Sequence, residues 1–197
     1  MEDGEKDAGF ISSHKYFDFV TPSLMKLLGL FLSEPASRYH IRELAKRLDV
    51  SPAFVSKRIG SLVKAGILSF DRIGQLKVYK LNLNDPIVKQ LKIAMNIYHL
   101  EPFLRAVREY SDKIVLFGSC SFGTDTKDSD VDVFAVVKNK VEEEKLKRKA
   151  PVSDATDRKI SLVTADPKEL VSLEDKDVAF YNNIRKGIVL WDRVENV

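Results

Sequence analysis

The segment Leu116-Phe117-Gly118-Ser119-Cys120-Ser121-Phe122-Gly123, followed by Asp128-Ser129-Asp130-Val131-Asp132-Val133-Phe134, decides how the second half of this chain folds. Ile114 to Phe117 is a short apolar run of strand length that stops at a Gly-Ser pair. Val131 to Val137 is a second such run, entered through Asp130 and carrying Asp132. Alternate residues of a strand share a face, so Asp130 and Asp132 are expected to present both carboxylates to one side. Two hard oxygen donors at that spacing suit Mg2+, which keeps several waters and bridges to substrate phosphates. A turn at Gly118-Ser119, closed by Gly123, lets backbone N–H groups approach a phosphate, with the serine hydroxyl as a further donor.

Several other phosphate, metal and hydrolase patterns nearly fit, and each fails at a named residue. Gly118 and Gly123 have the spacing of a P-loop, but Thr124 stands where its lysine must be. Ser121 lacks a glycine two residues before it, and all three histidines (His14, His40, His99) lie upstream, against the order of a nucleophile-elbow hydrolase. Asp128 to Asp132 starts like a calcium loop, but Val133 replaces its glycine and Asn139 its final glutamate.

The surviving pattern, Gly118-Ser119, Gly123, then Asp130-Val131-Asp132 after an apolar strand, resembles the signature of the DNA polymerase β-like nucleotidyltransferase superfamily. More narrowly, it is similar to the minimal nucleotidyltransferases, over roughly Lys113 to Asp192. That resemblance implies Mg2+ held by Asp130 and Asp132, and ATP or another NTP bound at Gly118, Ser119 and Gly123. It also implies, as a possible partner, a small helical protein. Active members carry a third carboxylate on a neighbouring strand, acting as base toward the acceptor hydroxyl. Here that strand is Lys159 to Thr164, whose pattern puts Ser161 in the carboxylate slot. Asp157 is a catalytic candidate only if the register differs, since it lies about 13 Å away along an extended strand. The family's frequent loop arginine is replaced by Phe122.

Upstream, Thr21-Pro22 opens a helix with Leu24, Leu27, Leu28, Phe31 and Leu32 inward, and Glu34-Pro35 ends it. Ile41, Leu44, Ala45 and Leu48 mark one face of a second helix, and Asp49-Val50 a tight connection. Ser51-Pro52 reads as N-cap and first residue of a third helix, with Val55, Ile59, Leu62 and Val63 inward and Gly66 just past its end. Two extended runs around Ile73-Gly74-Gln75 then form a hairpin. From Thr21 to Leu83 this order resembles the winged-helix family. The resemblance implies a third helix lying in the DNA major groove, with Ser51, Ala53, Phe54, Ser56 and Lys57 at the bases. Arg72, Lys77 and Lys80 of the wing would meet phosphates. Residues 21–85 hold about eleven Lys/Arg against about five Asp/Glu, the charge footprint of a phosphate-binding surface.

The expected fold class is α+β. An N-terminal arm covers residues 1–20, with aromatics placed to pack and a possible homodimer contact. A winged helix covers 21–84, a helical connector interrupted near Glu101-Pro102 covers 85–111, and a mixed-sheet domain with flanking helices covers 112–197. The net charge is +3 over 197 residues, and the lone cysteine, Cys120, excludes an internal disulfide and a multi-cysteine zinc site. It is read as a small packing residue. No apolar run reaches the roughly 20 residues of a membrane span, and the acidic start is not a secretory signal. A cytoplasmic setting is expected. Two functions stand: an enzyme moving a nucleoside monophosphate, AMP most plausibly, to a hydroxyl, or a DNA-binding regulator or antitoxin-like protein whose second domain senses nucleotide or docks a partner.

Overall fold

A computed structural model of the chain describes residues 22–150 and 158–194. The fold is α+β. Among the described residues no helix is long and apolar enough to cross a membrane. The chain divides into two compact units, with the cuts after Ile97, Gly118 and Asp130. One unit takes in the described chain up to Ile97 together with Ser119–Asp130; the other takes in Tyr98–Gly118 and the chain from Val131 on.

The first unit starts with α1 (Pro22–Ser33), α2 (Ile41–Leu48) and α3 (Pro52–Lys64), followed by a hairpin of β1 (Leu68–Ile73) and β2 (Leu76–Leu81). The turn between α2 and α3 depends on Asp49, which adopts a left-handed conformation at φ 52°; a short polar side chain tolerates that geometry better than most. Ser51 caps α3 by accepting the Phe54 N–H at 3.1 Å, and Pro52 occupies the first turn, where no donor is lost. Leu27, Phe31, Leu44, Val55 and Ile59 are buried to 1% exposure or less, so the predicted inward faces of all three helices meet in one core. Tyr39 joins that core edge-to-face on Phe31, with ring centres 5.2 Å apart. Its backbone exchanges two hydrogen bonds with Tyr79, of 2.9 and 2.7 Å, which fastens the hairpin beside the helices. The hairpin turns through Gly74-Gln75 with Gly74 at φ 60°, as a two-residue turn with glycine first requires.

Helix α4 (Pro86–Val107) continues without a break through Pro102. An interruption was expected there because Pro102 has no N–H for the carbonyl of Tyr98. Leu100, Phe103, Leu104 and Val107 are all within 2% of complete burial, and their packing outweighs one missing backbone bond.

In the second unit, β3 (Lys113–Phe117), β4 (Val131–Val136), β5 (Ile160–Ala165) and β6 (Ile188–Asp192) form one sheet in the order β5-β4-β3-β6. Strand β3 is antiparallel to both β4 and β6, while β4 and β5 are parallel. Parallel neighbours need a crossover, and the chain between β4 and β5 contains α6 (Lys140–Lys149), capped by Asn139. Helices α7 (Pro167–Lys176) and α8 (Val178–Arg185) cover one sheet face. There Leu170, Leu173, Phe180 and Ile184 pack on Val115, Phe117, Phe134, Val136 and Ala165. The other face carries Ile114, Leu116, Val133 and Ala135, each fully buried. Burial on both faces explains why β3 and β4 read as continuous apolar runs instead of alternating ones.

Candidate nucleotide site and nucleic-acid interface

The nucleotide candidates divide between the units: Gly118, Asp132 and Ser161 lie in one, Ser119, Gly123 and Asp130 in the other. In the sheet unit, Asp132 is the second residue of β4 and pairs in register with Phe117 of β3 on one side and Ser161 of β5 on the other. Gly118, which follows Phe117, has φ 67°. A Cβ built on it would collide with the carboxylate of Asp132. The half-buried Asp132 side chain therefore lies directly over the Gly118 backbone, and only glycine leaves room for it. Ser161, the residue beside Asp132 on β5, offers a hydroxyl where the family resemblance implies a carboxylate. Asp157 lies outside the described residues. Among the described residues no three His, Cys, Asp or Glu side chains gather as a metal cluster.

The loop after Gly118 opens with a one-turn helix, α5 (Gly118–Phe122). Thr124 N–H donates to the Ser119 carbonyl at 3.1 Å and closes the turn. Gly123 has φ 66°, and a Cβ there would stand 2.5 Å from the Lys89 carbonyl oxygen, so the second glycine of the signature is needed where the loop meets the backbone of α4. Phe122 is exposed. Cys120 is fully buried, its thiol 3.5 Å from the Asp130 carbonyl. It packs the loop, as a small apolar residue does. Asp130 itself is exposed and immediately precedes β4.

Three loop contacts were not legible as function in the sequence. Lys92 of α4, only 2% exposed, donates to the Asp125 carbonyl oxygen and stands 3.5 Å from the Asp125 carboxylate. Asn96 donates to the Cys120 carbonyl at 3.1 Å and to Asp125 Oδ1 at 3.0 Å. Lys127 reaches Glu34 at 3.2 Å. The only warning was a lysine inside an apolar stripe, since Lys92 falls between the buried Val88 and Met95.

On the segment of three helices and a hairpin, Ser51, Ala53, Ser56 and Lys57 are exposed along the first half of α3. Phe54 is half-buried beneath the guanidinium of Arg58, 5.3 Å from the ring centre. The three hairpin cations differ. Arg72 is exposed and has no carboxylate partner among the described residues. Lys77 lies over the Phe70 ring at 4.7 Å. Lys80 is bound to Asp71 at 2.8 Å, and the same carboxylate takes Arg38 at 3.3 Å. The Lys80 hydrogen bond, with the charges of Lys80 and Arg38, holds the Asp71 carboxyl below its usual range. Lys80 is thus largely compensated within the protein.

A second acidic centre stabilises the same unit. Glu34 accepts the Tyr39 hydroxyl at 2.5 Å and the Ser37 hydroxyl at 3.0 Å, besides Lys127. The Tyr39 bond, then those from Lys127 and Ser37, lowers the Glu34 pKa against the opposing effect of burial. Burial and the same carboxylate raise that of Tyr39.

No match was found among curated proteins. Among solved structures, the chain is similar to the adhesin competence repressor AdcR of Streptococcus pyogenes. The identity is 26% over 50% of this chain and 73% of that one, at a TM-score of 0.36, too loose a superposition to carry an argument. Residues 100–186, which span β3, the glycine loop, both aspartates, β5 and α8, match the family model of the nucleotidyltransferase domain.

Proposed function

We propose that this is a DNA-binding protein whose nucleotidyltransferase domain transfers a nucleoside monophosphate, AMP in preference, from a Mg-NTP to a hydroxyl acceptor. The observation that carries the reading is the Asp132 carboxylate lying over the glycine that opens the phosphate loop, within the stretch that matches the nucleotidyltransferase model. The donor set is right in kind for Mg2+: hard carboxylate oxygens from Asp130 and Asp132, two residues apart in the chain. When bound, the ion neutralises charge on the triphosphate and on the leaving pyrophosphate.

The chain's own residues hold and align. Gly118, Ser119 and Gly123 would seat the β- and γ-phosphates, Asp130 and Asp132 would hold Mg2+, and the acceptor oxygen would attack the α-phosphorus. One P–O bond forms to the acceptor, the bond to the β-phosphate bridging oxygen breaks, pyrophosphate leaves, and the hydroxyl proton passes to solvent or to a base. Incubation with α-labelled ATP, Mg2+ and lysate tests this directly. Label should appear on a macromolecule or small acceptor, and Asp130→Ala should abolish it.

A second reading is favoured by one observation, that the β5 residue paired with Asp132 is Ser161. Without a base on that strand, transfer is slower by roughly 10²–10⁴-fold, and the domain serves as a nucleotide sensor or partner dock in a transcriptional regulator or antitoxin-like protein. Metal-dependent ATP binding without label transfer is its signature. For the DNA reading, α3 and the wing supply the contacts, and gel shifts against genomic fragments are the test. Binding that is insensitive to salt and to Lys57→Glu with Lys77→Glu would remove it.

A further inference from the structure

We propose that Lys92 and Asn96 of α4 are positioning residues for the phosphate loop, holding Ser119 to Asp125 in the shape that receives the triphosphate. This rests on the nucleotide reading above and deepens it. Lys89, Lys92 and Asn96 follow one another at three- and four-residue spacing, so they share one face of α4. All three touch the loop. The Lys89 carbonyl bounds the space that a side chain at Gly123 would need. The ammonium of Lys92 takes the carbonyl and carboxylate of Asp125, and the Asn96 amide bridges Asp125 to the carbonyl of Cys120. The bridge ties the two ends of a short loop to one rigid helix, so the backbone between them cannot open without breaking it.

Burial makes the arrangement specific. Lys92 is 2% and Asp125 4% exposed, and a charge withdrawn from water is tolerated only when its partners meet it in good geometry. Apolar packing would hold a loop against a helix in several neighbouring positions. A buried ammonium shared with a carboxylate and a carbonyl admits very few, because each displaced contact leaves a desolvated charge. Preorganised backbone donors are what phosphate recognition by a glycine loop requires. The α4 residues up to Ile97 and the loop Ser119–Asp130 belong to the same compact unit, so the support comes from within it.

The full chain is titrated calorimetrically with Mg-ATP and, separately, with inorganic tripolyphosphate plus Mg2+. Asn96→Leu keeps roughly the side-chain volume, adds no charge and removes both donated hydrogen bonds. The double variant Lys92→Met with Asp125→Asn removes both buried charges together, so that neither is left alone. Both proteins are expected to lose about tenfold or more in affinity for each probe. Amide hydrogen exchange should quicken in residues 119–125 and stay unchanged in α2 and α3, a pattern that general destabilisation does not produce. Wild-type affinity for both probes in folded Asn96→Leu overturns the proposal, as does exchange that quickens throughout the unit. If the unmodified protein binds neither probe, the nucleotide reading itself falls, and this inference falls with it.

Discussion

The N-terminal segment of three helices and a hairpin and the four-stranded sheet place their charges by different means. In the first, Lys57 and Arg72 are displayed on exposed positions of α3 and the hairpin, and their location follows from local periodicity alone. In the second, Asp132 is half-buried over Gly118, and its surroundings exist only because β3, β4 and β5 align Phe117, Asp132 and Ser161 side by side. An exposed cation acts through water and is adjustable; a carboxylate seated on a glycine backbone is fixed by neighbours far away in sequence. The first arrangement should tolerate substitution with graded effects, and the second should respond sharply to single atoms.

The largest effect should come from placing a carboxylate on β5 beside Asp132. Ser161→Asp puts a carboxylate beside Asp132 and is expected to raise nucleotidyl transfer by about 10²–10⁴-fold, measured as label incorporated from ATP. No gain would mean that the base comes from elsewhere. Next, Phe134→Ala empties a position that is 1% exposed and packs against Phe180. It should cost about 3–5 kcal/mol in chemical denaturation. Phe54→Ala, on the half-buried surface of α3, should change stability by about 1 kcal/mol or less while weakening DNA binding; equal losses for the two would erase the contrast.

Graded effects are expected on the wing. Arg72→Ala should weaken DNA binding and lower the salt slope by about 1, whereas Lys80→Ala should do less because Asp71 already neutralises Lys80. Asp71→Asn should strengthen binding several-fold by releasing Lys80 and Arg38. The smallest effect is on acid stability. Glu34 is lowered from its ordinary 4.5 chiefly by the Tyr39 hydroxyl. Its folded value lies below its unfolded one, so its contribution is complete above the ordinary value and disappears as pH falls through the folded one. Glu34→Gln should lower stability at neutral pH and flatten the decline on the acid side, followed by denaturant midpoints across that range.

Much of the fold is legible in the chain because its signals are local. Ser51-Pro52 starts a helix wherever it stands before an apolar stripe, Gly74-Gln75 turns a hairpin, and Val131 to Val136 is too short and too apolar for anything but a buried strand among turns. The uninterrupted passage of α4 through Pro102 was not legible, since the local rule favours a break and the burial of Leu100, Phe103 and Leu104 overrides it. The candidate site was half legible. Gly118 and Gly123 announce themselves as glycines, but what each makes room for, the Asp132 carboxylate and the Lys89 carbonyl, is visible only in three dimensions.

The α+β class, the three helices and hairpin of the N-terminal segment, the strand after the basic half, and the Gly-Ser and Asp-x-Asp elements of the nucleotidyltransferase match are all written in the chain. Those follow from residue spacing, and spacing is a property of the chain. Tertiary packing alone puts Asp132 beside Ser161, Asp71 on Lys80, and Lys92 and Asn96 on the loop that follows Gly118. Each of these is a pairing between segments joined by register, burial or close approach. Such pairings depend on which charges remain in water and which must find a partner once the core has closed.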